Sequence, residues 1–399
     1  MSKTFIRLSK SIVGATEAEA VGRVLMEDGY LGMGKETQIF EREIGDFLGV
    51  PGEAVTSVNS GTAALHLAVQ AVVEPGDEVL VQSLTFLSSF QSISATGAVP
   101  VPCEINLNNL TIDIEDARRR MTAKTRVIMP VHYASNPGDL DKIYDFAGSH
   151  RLRVIEDAAH AFGCTYRKKM VGSFGDIVCF SFDGIKNITS GEGGAIITGD
   201  EKVKNFVRDA RLLGVQKDTE KRYQGERSWE FDVSHQGYRY HLSNVLAAIG
   251  RVQLKRFATE FKPRRIELSR RYRSALRNVS GIKLIEGEPG EIVPHIFPVR
   301  VLNGRRDLLR EFLINKGIEC GIHYKPNHLL SFYGAKKGML PITEKLYDEL
   351  MTLPLHPGLS DVEVDYVIEN INEFFHKDSE QVVHSTGKSN TFASKPNEP

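Results

Sequence analysis

Four short segments of the sequence carry side chains whose types and spacing could do chemistry. Phe180-Ser181-Phe182-Asp183-Gly184-Ile185-Lys186-Asn187 is an apolar run that turns at a glycine and ends on a lysine, with Gly191-Glu192-Gly193-Gly194 just beyond. A lone lysine is usually solvated. At an apolar, glycine-flanked strand junction, loss of water lowers its pKa and frees the amine for Schiff-base chemistry. Val154-Ile155-Glu156-Asp157-Ala158-Ala159-His160 brings a buried strand to the carboxylate of Asp157. An anion there keeps a pyridine nitrogen protonated, which makes such a ring an electron sink; the plain reading is a helix cap. Asn59-Ser60-Gly61-Thr62-Ala63-Ala64 is a small-residue turn opening a helix. Gly61 admits a ligand close to the backbone, and the free N–H groups with the Thr62 hydroxyl suit a phosphate, although simple N-capping by Ser60 or Thr62 accounts for the same residues. Ser83-Leu84-Thr85-Phe86 ends another apolar run on a ring that could stack on a planar ligand or fill the core.

A phosphate cradle, a carboxylate, a stacking ring and a desolvated lysine together meet the needs of pyridoxal 5'-phosphate (PLP). The surrounding pattern explains how they would meet. From residue 1 to about 250, short apolar runs alternate with helical patterns, which predicts an α/β domain on a mainly parallel sheet. The expected strands are Glu78 to Gln82, Arg126 to Val131, Arg153 to Glu156, Val178 to Phe182 and Ala195 to Thr198. Ligands bind such sheets at the carboxyl ends of the strands, where the four segments fall. Ala64, Leu67, Ala68 and Ala71 share one face of a helix expected over Thr62 to Val73. A long helical pattern from Leu242 through Val279, interrupted at Pro263, carries the chain into a smaller α+β domain. There a strand is expected near His295 to Val301, a helix near Arg305 to Lys316 and a closing helix over Asp361 to Phe375. The expected division is 1–255 for the large domain, 256–376 for the small one, and a polar, disordered tail over 377–399.

The bulk numbers restrict the partners. The 50 Lys+Arg against 51 Asp+Glu argue against a dedicated nucleic-acid or membrane surface, so a phosphorylated ligand needs a local site. The basic run Lys262 to Arg277 reads as a solvated helix face. Cys103, Cys164, Cys179 and Cys320 are far apart, with no metal-ligand or disulfide spacing, and read as apolar packing in a reducing compartment. No signal peptide or membrane span is visible, so a cytoplasmic protein is expected. The first strand-turn-helix lacks G-x-G-x-x-G spacing, which discounts a nicotinamide enzyme.

From about residue 5 to 375 the sequence resembles the DegT/DnrJ/EryC1/StrS family of sugar aminotransferases. The blocks that carry the resemblance recur in order: YLGMGKETQIFEREIGDFLGV, SGTAALHLA, EDAAHAFG, VGSFGDIVCFSFDGIKNITSGEGGAIIT, GYRYHLSNVLAAIG, IHYKPNHLL and LPLHPGLS. The resemblance implies a fold type I PLP enzyme with a mainly parallel seven-stranded sheet, working as a homodimer with shared active sites. It implies Lys186 as the Schiff-base lysine and proton shuttle, Asp157 as partner of the pyridine nitrogen, and Phe86 as the stacking ring. Thr62, Ala63 and Ser181 match the phosphate contacts, beside Gly61, which stays among the expected cofactor-binding residues. His323, Tyr324 and His328 match positions lining the sugar-nucleotide site, though by themselves they read as structural residues of the small domain. Two departures stand out. His160 occupies a position where the family commonly has Gln, so an imidazole makes a cofactor-side contact there. Where the family has Gly-x-Asn-x-Arg, this chain has Gly237-Tyr238-Arg239-Tyr240-His241; Arg239 is expected on phosphate and His241 on the substrate side.

The implied reaction moves an amino group from L-glutamate to a nucleotide-linked 4-keto-6-deoxy sugar, through pyridoxamine 5'-phosphate, for lipopolysaccharide O-antigen or a related glycan. Three alternatives remain: a 3-keto sugar as acceptor, a PLP/PMP-dependent sugar dehydratase, and a non-catalytic protein on the same fold. Dehydratases of this fold carry histidine in place of the lysine that this chain keeps at 186. A binding module has no need of a reactive amine.

Overall fold

The computed structural model describes residues 5–386 apart from 288–290 and 335, with side chains through residue 376. Its strands are β1 (Val55–Val58), β2 (Glu78–Gln82), β3 (Val99–Cys103), β4 (Thr125–Met129), β5 (Arg153–Asp157), β6 (Thr165–Tyr166), β7 (Lys169–Met170), β8 (Ile177–Ser181), β9 (Gly194–Thr198), β10 (Ile282–Leu284), β11 (Phe297–Val301) and β12 (Leu350–Leu353). Seven of them form one sheet in the order β1-β9-β8-β5-β4-β2-β3. The run β3-β2-β4-β5-β8 is parallel, and β9 lies antiparallel to both β8 and β1. Parallel strands connected by helices are buried on both faces, which is why they read as continuous apolar runs. Val79 and Val81 pack toward the helix Gly61–Gln70, whereas Leu80 between them packs toward the helix Leu140–His150.

A second core forms on the antiparallel sheet β10-β11-β12. Leu268, Tyr272, Leu309, Val364 and Val367 from three helices cover it, and Ile6 from the start of the chain joins them. The two-stranded hairpin β6-β7 stands apart from both sheets.

All five expected strands of the large sheet form within a residue or two of their expected ends. Two more, β1 and β3, were not expected. β3 contains Pro100 and Pro102, which lack an N–H; it survives because it is the edge strand, where alternate N–H positions face no neighbour. The long helical pattern is interrupted as expected, but ahead of the proline. The helix Asn244–Arg256 passes through a π turn at Phe257–Phe261 before the helix Lys262–Leu276 begins. The widened turn puts Pro263 in the first turn of a new helix, where its missing N–H costs nothing. The closing helix was expected to stop at Phe375, with a disordered tail from 377. Its backbone instead stays helical to Thr386. Polarity alone does not stop a helix, and no glycine or proline occurs between Asp361 and Gly387. Residues 387–399 of the expected tail lie outside the described residues.

Candidate active site

The cleft at the carboxyl ends of the sheet strands has a cavity volume of about 260 Å³. Each element delivers one group to it. The helix Gly61–Gln70 begins there under the N-cap Ser60, whose hydroxyl accepts from Ala63 N at 3.1 Å. Ala64 N takes the Ser60 carbonyl, so the N–H groups of Gly61 and Thr62 are the ones left for a ligand. Ala63, expected among the phosphate contacts, is buried with its N–H already engaged. Two glycines permit the close approach of helix and sheet. A Cβ on Gly61 would lie 2.7 Å from Ser181 Cβ, and one on Gly194 would lie 2.6 Å from the Ser60 carbonyl oxygen. Ser181, the last residue of β8, accepts from Asp183 N at 3.3 Å and keeps its own hydroxyl proton to donate.

Asp157 closes β5 and lines the same cleft. Its Oδ1 accepts from Ala159 N at 3.2 Å, and its Oδ2 accepts from the Ser89 hydroxyl at 2.6 Å. Lys186 follows β8 through a turn in which its own N–H donates to the Asp183 carbonyl. Burial pulls the Lys186 ammonium down to about 8, against the upward pull of Asp183 and Asp157; Arg265 pushes further down. Arg265 is fully buried behind it and, among the described residues, donates only to the carbonyls of Pro294, His295 and Lys186.

The wall toward the small sheet is uncharged. Burial, reinforced by Lys186, holds His160 and His295 well below the usual histidine range, and holds His323 at about 4. His160 Nε2 lies 3.2 Å from the Tyr324 hydroxyl, and its ring lies 4.5 Å from that of His295. Nδ1 of His160 is buried without a partner among the described residues. Phe86 stands at the rim, more than half exposed, 5.5 Å from the Tyr324 ring. Nδ1 of His323 is tied to Thr352 Oγ1 at 2.8 Å.

Most residues singled out in the sequence therefore meet: Lys186, Asp157, Gly61, Thr62, Phe86, His160, Ser181, His323 and Tyr324 all line the cleft. His328 does not. It is buried between Ser83 Oγ, 2.7 Å away just past β2, and Glu344 Oε1, 3.1 Å away in the helix Pro341–Glu349, so it ties that helix to the end of β2. Arg239 and His241 also lie outside the cleft formed by this chain. Their segment is pinned by its backbone: Tyr240 N donates to the Arg211 carbonyl, and Asn59 N to the Tyr240 carbonyl. Arg239 itself is exposed. His241 is half-buried, and burial with the Arg239 charge brings it to about 4. Asp183, Glu192, Tyr133 and His295 line the cleft without having been singled out. His295 sits just before a strand in an apolar run, and nothing local distinguishes it from a core residue.

The residues fit PLP. The unused N–H groups and Ser181 make a cradle that a side chain at 61 would fill, and Asp157 presents an anion. The unpartnered Nδ1 of His160 offers a polar atom to a ring substituent, and Lys186 supplies an amine with a lowered pKa.

The sequence pattern of the DegT/DnrJ/EryC1/StrS aminotransferase family matches residues 12–372. The spore coat polysaccharide biosynthesis protein SpsC of Bacillus subtilis (strain 168) is 35% identical over 380 residues, 92% of this chain and 97% of that protein. The dTDP-4-dehydro-2,3,6-trideoxy-D-glucose 4-aminotransferase of Saccharopolyspora spinosa is 32% identical, over 92% of this chain and 96% of that enzyme. Among solved structures, the PLP form of the putative sugar aminotransferase Spr1654 from Streptococcus pneumoniae superposes with a TM-score of 0.85 at 29% identity, covering 94% of this chain and 99% of that one. The chain belongs to the DegT/DnrJ/EryC1/StrS aminotransferase family, and it is a PLP-dependent sugar aminotransferase.

Proposed function

We propose that this chain moves the amino group of L-glutamate to C4 of a nucleotide-linked 4-keto-6-deoxyhexose, in the synthesis of a surface polysaccharide. The observation that carries the proposal is the convergence of Lys186 and Asp157 on one cleft whose other wall is neutral. Bound PLP supplies an electron-withdrawing pyridinium that acidifies the α-hydrogen of an attached amine. The chain supplies the rest. Asp157 holds the ring nitrogen's proton, and the Gly61 and Thr62 N–H groups with the Ser181 hydroxyl hold the phosphate. With PLP bound, Lys186 Nζ, poised near neutrality, would take the proton from the donor's α-carbon and return it. His160, His323 and Tyr324 face an uncharged keto sugar better than they would a second carboxylate. The 4-aminotransferase relative favours C4 over C3, and SpsC's part in spore coat polysaccharide synthesis favours a surface glycan. Retention of Lys186 opposes the dehydratase alternative.

A second copy of the chain belongs to this reading. Among the described residues Lys186 is the only lysine or arginine lining the cleft, which is too little cation for a cofactor phosphate and a donor carboxylate together. Arg239 forms no ion pair among the described residues and is exposed beside an apolar ribbon. That ribbon joins residues near Leu212 and Val215 to Arg239 and Val233, and bears Leu213, Trp229, Phe231 and Val233 exposed. Such a patch marks an interface, and placing it on a twin would bring Arg239 to the other subunit's phosphate.

Incubation with L-glutamate and a panel of keto-sugar nucleotides should yield a 4-amino sugar from a 4-keto-6-deoxyhexose, assigned by mass and NMR; a 3-amino or deoxygenated product would contradict the assignment. Loading of the PLP-free protein should speed up roughly tenfold per pH unit below pH 8 and level off above it, because only neutral Nζ attacks the aldehyde and Lys186 loses its proton near 8. A loading rate that keeps climbing to pH 10 would mean an amine of ordinary pKa. Arg239→Ala should raise the PLP dissociation constant by about 10-fold or more, the loss of one charge-assisted contact. Dilution should shift the emission of Trp229, the only tryptophan, to the red; parental PLP affinity in the variant or a concentration-independent spectrum would remove the shared site.

A further inference from the structure

The acid that faces the cofactor ring is itself held by two hydroxyls, that of Ser89 behind the cleft lining and that of Thr85, which lines the cleft. Ser89 lies inside the helix Leu87–Ser94, and Thr85 just ahead of it; Ser89 is fully buried and Thr85 nearly so. Thr85 Oγ1 and Ser89 Oγ are 3.0 Å apart, and Ser89 Oγ is 2.6 Å from Asp157 Oδ2. The direction of this chain follows from proton counting. An ionised carboxylate only accepts, so the single Ser89 proton goes to Asp157, and the Thr85 proton must go to Ser89. Both hydroxyl dipoles then point their positive ends at the carboxylate, and each strengthens the next.

The relay has a footing on the other side of the cleft. The Thr85 carbonyl accepts from Asn327 Nδ2 at 2.9 Å, and Asn327 also donates to the Ser83 carbonyl from its backbone and its side chain. Asn327 is buried and lies three residues beyond Tyr324, which lines the cleft. Buried hydrogen bonds to the carbonyl and from the hydroxyl of Thr85 therefore link the segment just past His323 and Tyr324 to Oδ2 of Asp157.

We propose that Ser89 is a positioning residue that, with Thr85 behind it, fixes the rotation of the Asp157 carboxylate toward the cofactor ring nitrogen. The inference rests on the PLP reading of the cleft. With Oδ1 on Ala159 N–H and Oδ2 on Ser89, the carboxylate is clamped at both oxygens, and its remaining lone pairs have one direction. Without Ser89 only the 3.2 Å backbone contact remains, the carboxylate swings, and the ring nitrogen loses its partner for part of the time.

The test compares Ser89→Ala, Thr85→Val and a control, Ser92→Ala, in full-length protein. Ser92 is a buried serine of the same helix whose hydroxyl, among the described residues, bonds only the Ser88 carbonyl, at 2.5 Å. Three quantities are read: the PLP dissociation constant, the thermal midpoint without PLP, and the single-turnover rate at which L-glutamate bleaches the visible band. Ser89→Ala should slow that rate by about 10- to 100-fold, the worth of one hydrogen bond to a charged group, with a thermal midpoint close to the parent's. Thr85→Val should lose less, and Ser92→Ala nothing. A parental rate in Ser89→Ala overturns the proposal, as does an equal loss in Ser92→Ala, which would mark mere helix packing. A parent protein that takes up no PLP overturns the cofactor reading and the relay with it, and that result is visible before any variant is made.

Discussion

The site depends on an amine that is denied water. Burial of Lys186 favours its neutral form, while Asp157 and Asp183 favour the charged one, and the two influences leave the group near 8. A charged imidazole in the wall would take its part with burial and push the lysine lower still. The chain avoids that by burying His160, His295 and His323 so that all three are neutral. Arg265, the fixed cation behind Lys186, is turned onto three carbonyls. Amine, imidazoles and guanidinium form one buried cluster in which burial is the largest influence on each group and the neighbouring positive charges add to it at Lys186, His160, His295 and His323.

That unit exists because the sheet topology brings distant segments to one edge. β5 ends on Asp157 and the parallel β8 ends on Ser181, with Lys186 on the turn beyond. β2 leads to Thr85, Phe86 and Ser89, and the antiparallel β9 runs back from the glycine turn to meet Ser60 across Gly194. The segment His323 to Leu329 closes the far wall through a few buried polar bonds: His328 to Ser83, Asn327 to the Thr85 carbonyl, and His323 to Thr352 of β12. Polar groups buried this deeply are costly unless satisfied, so these bonds fix where the wall stands.

Much of this was legible in the order of residues. Strands buried on both faces show as apolar runs, and a chemical residue at the end of such a run stands out, which is why Lys186 and Asp157 are legible, whereas Ser181 is marked by the family resemblance alone. β3 hid behind its prolines. Ser89 and His295 were missed because their importance comes from contacts made across dozens of residues. The family resemblance of the block IHYKPNHLL implies a substrate-side place for His328. The Asn327–Leu329 turn instead buries it against Ser83 and Glu344. Arg239 and His241 point to the remaining boundary, since a single chain gives them no ligand to meet.

The most direct measurement is the absorbance spectrum of the protein with PLP, before and after L-glutamate, beside a Lys186→Ala variant. The account requires a visible band in the parent that gives way to a near-ultraviolet band when the donor is added, and no such visible band in the variant. A parent without the band, or a variant that shows it and responds to glutamate as the parent does, would contradict the assignment of Lys186 and the chemistry built on it.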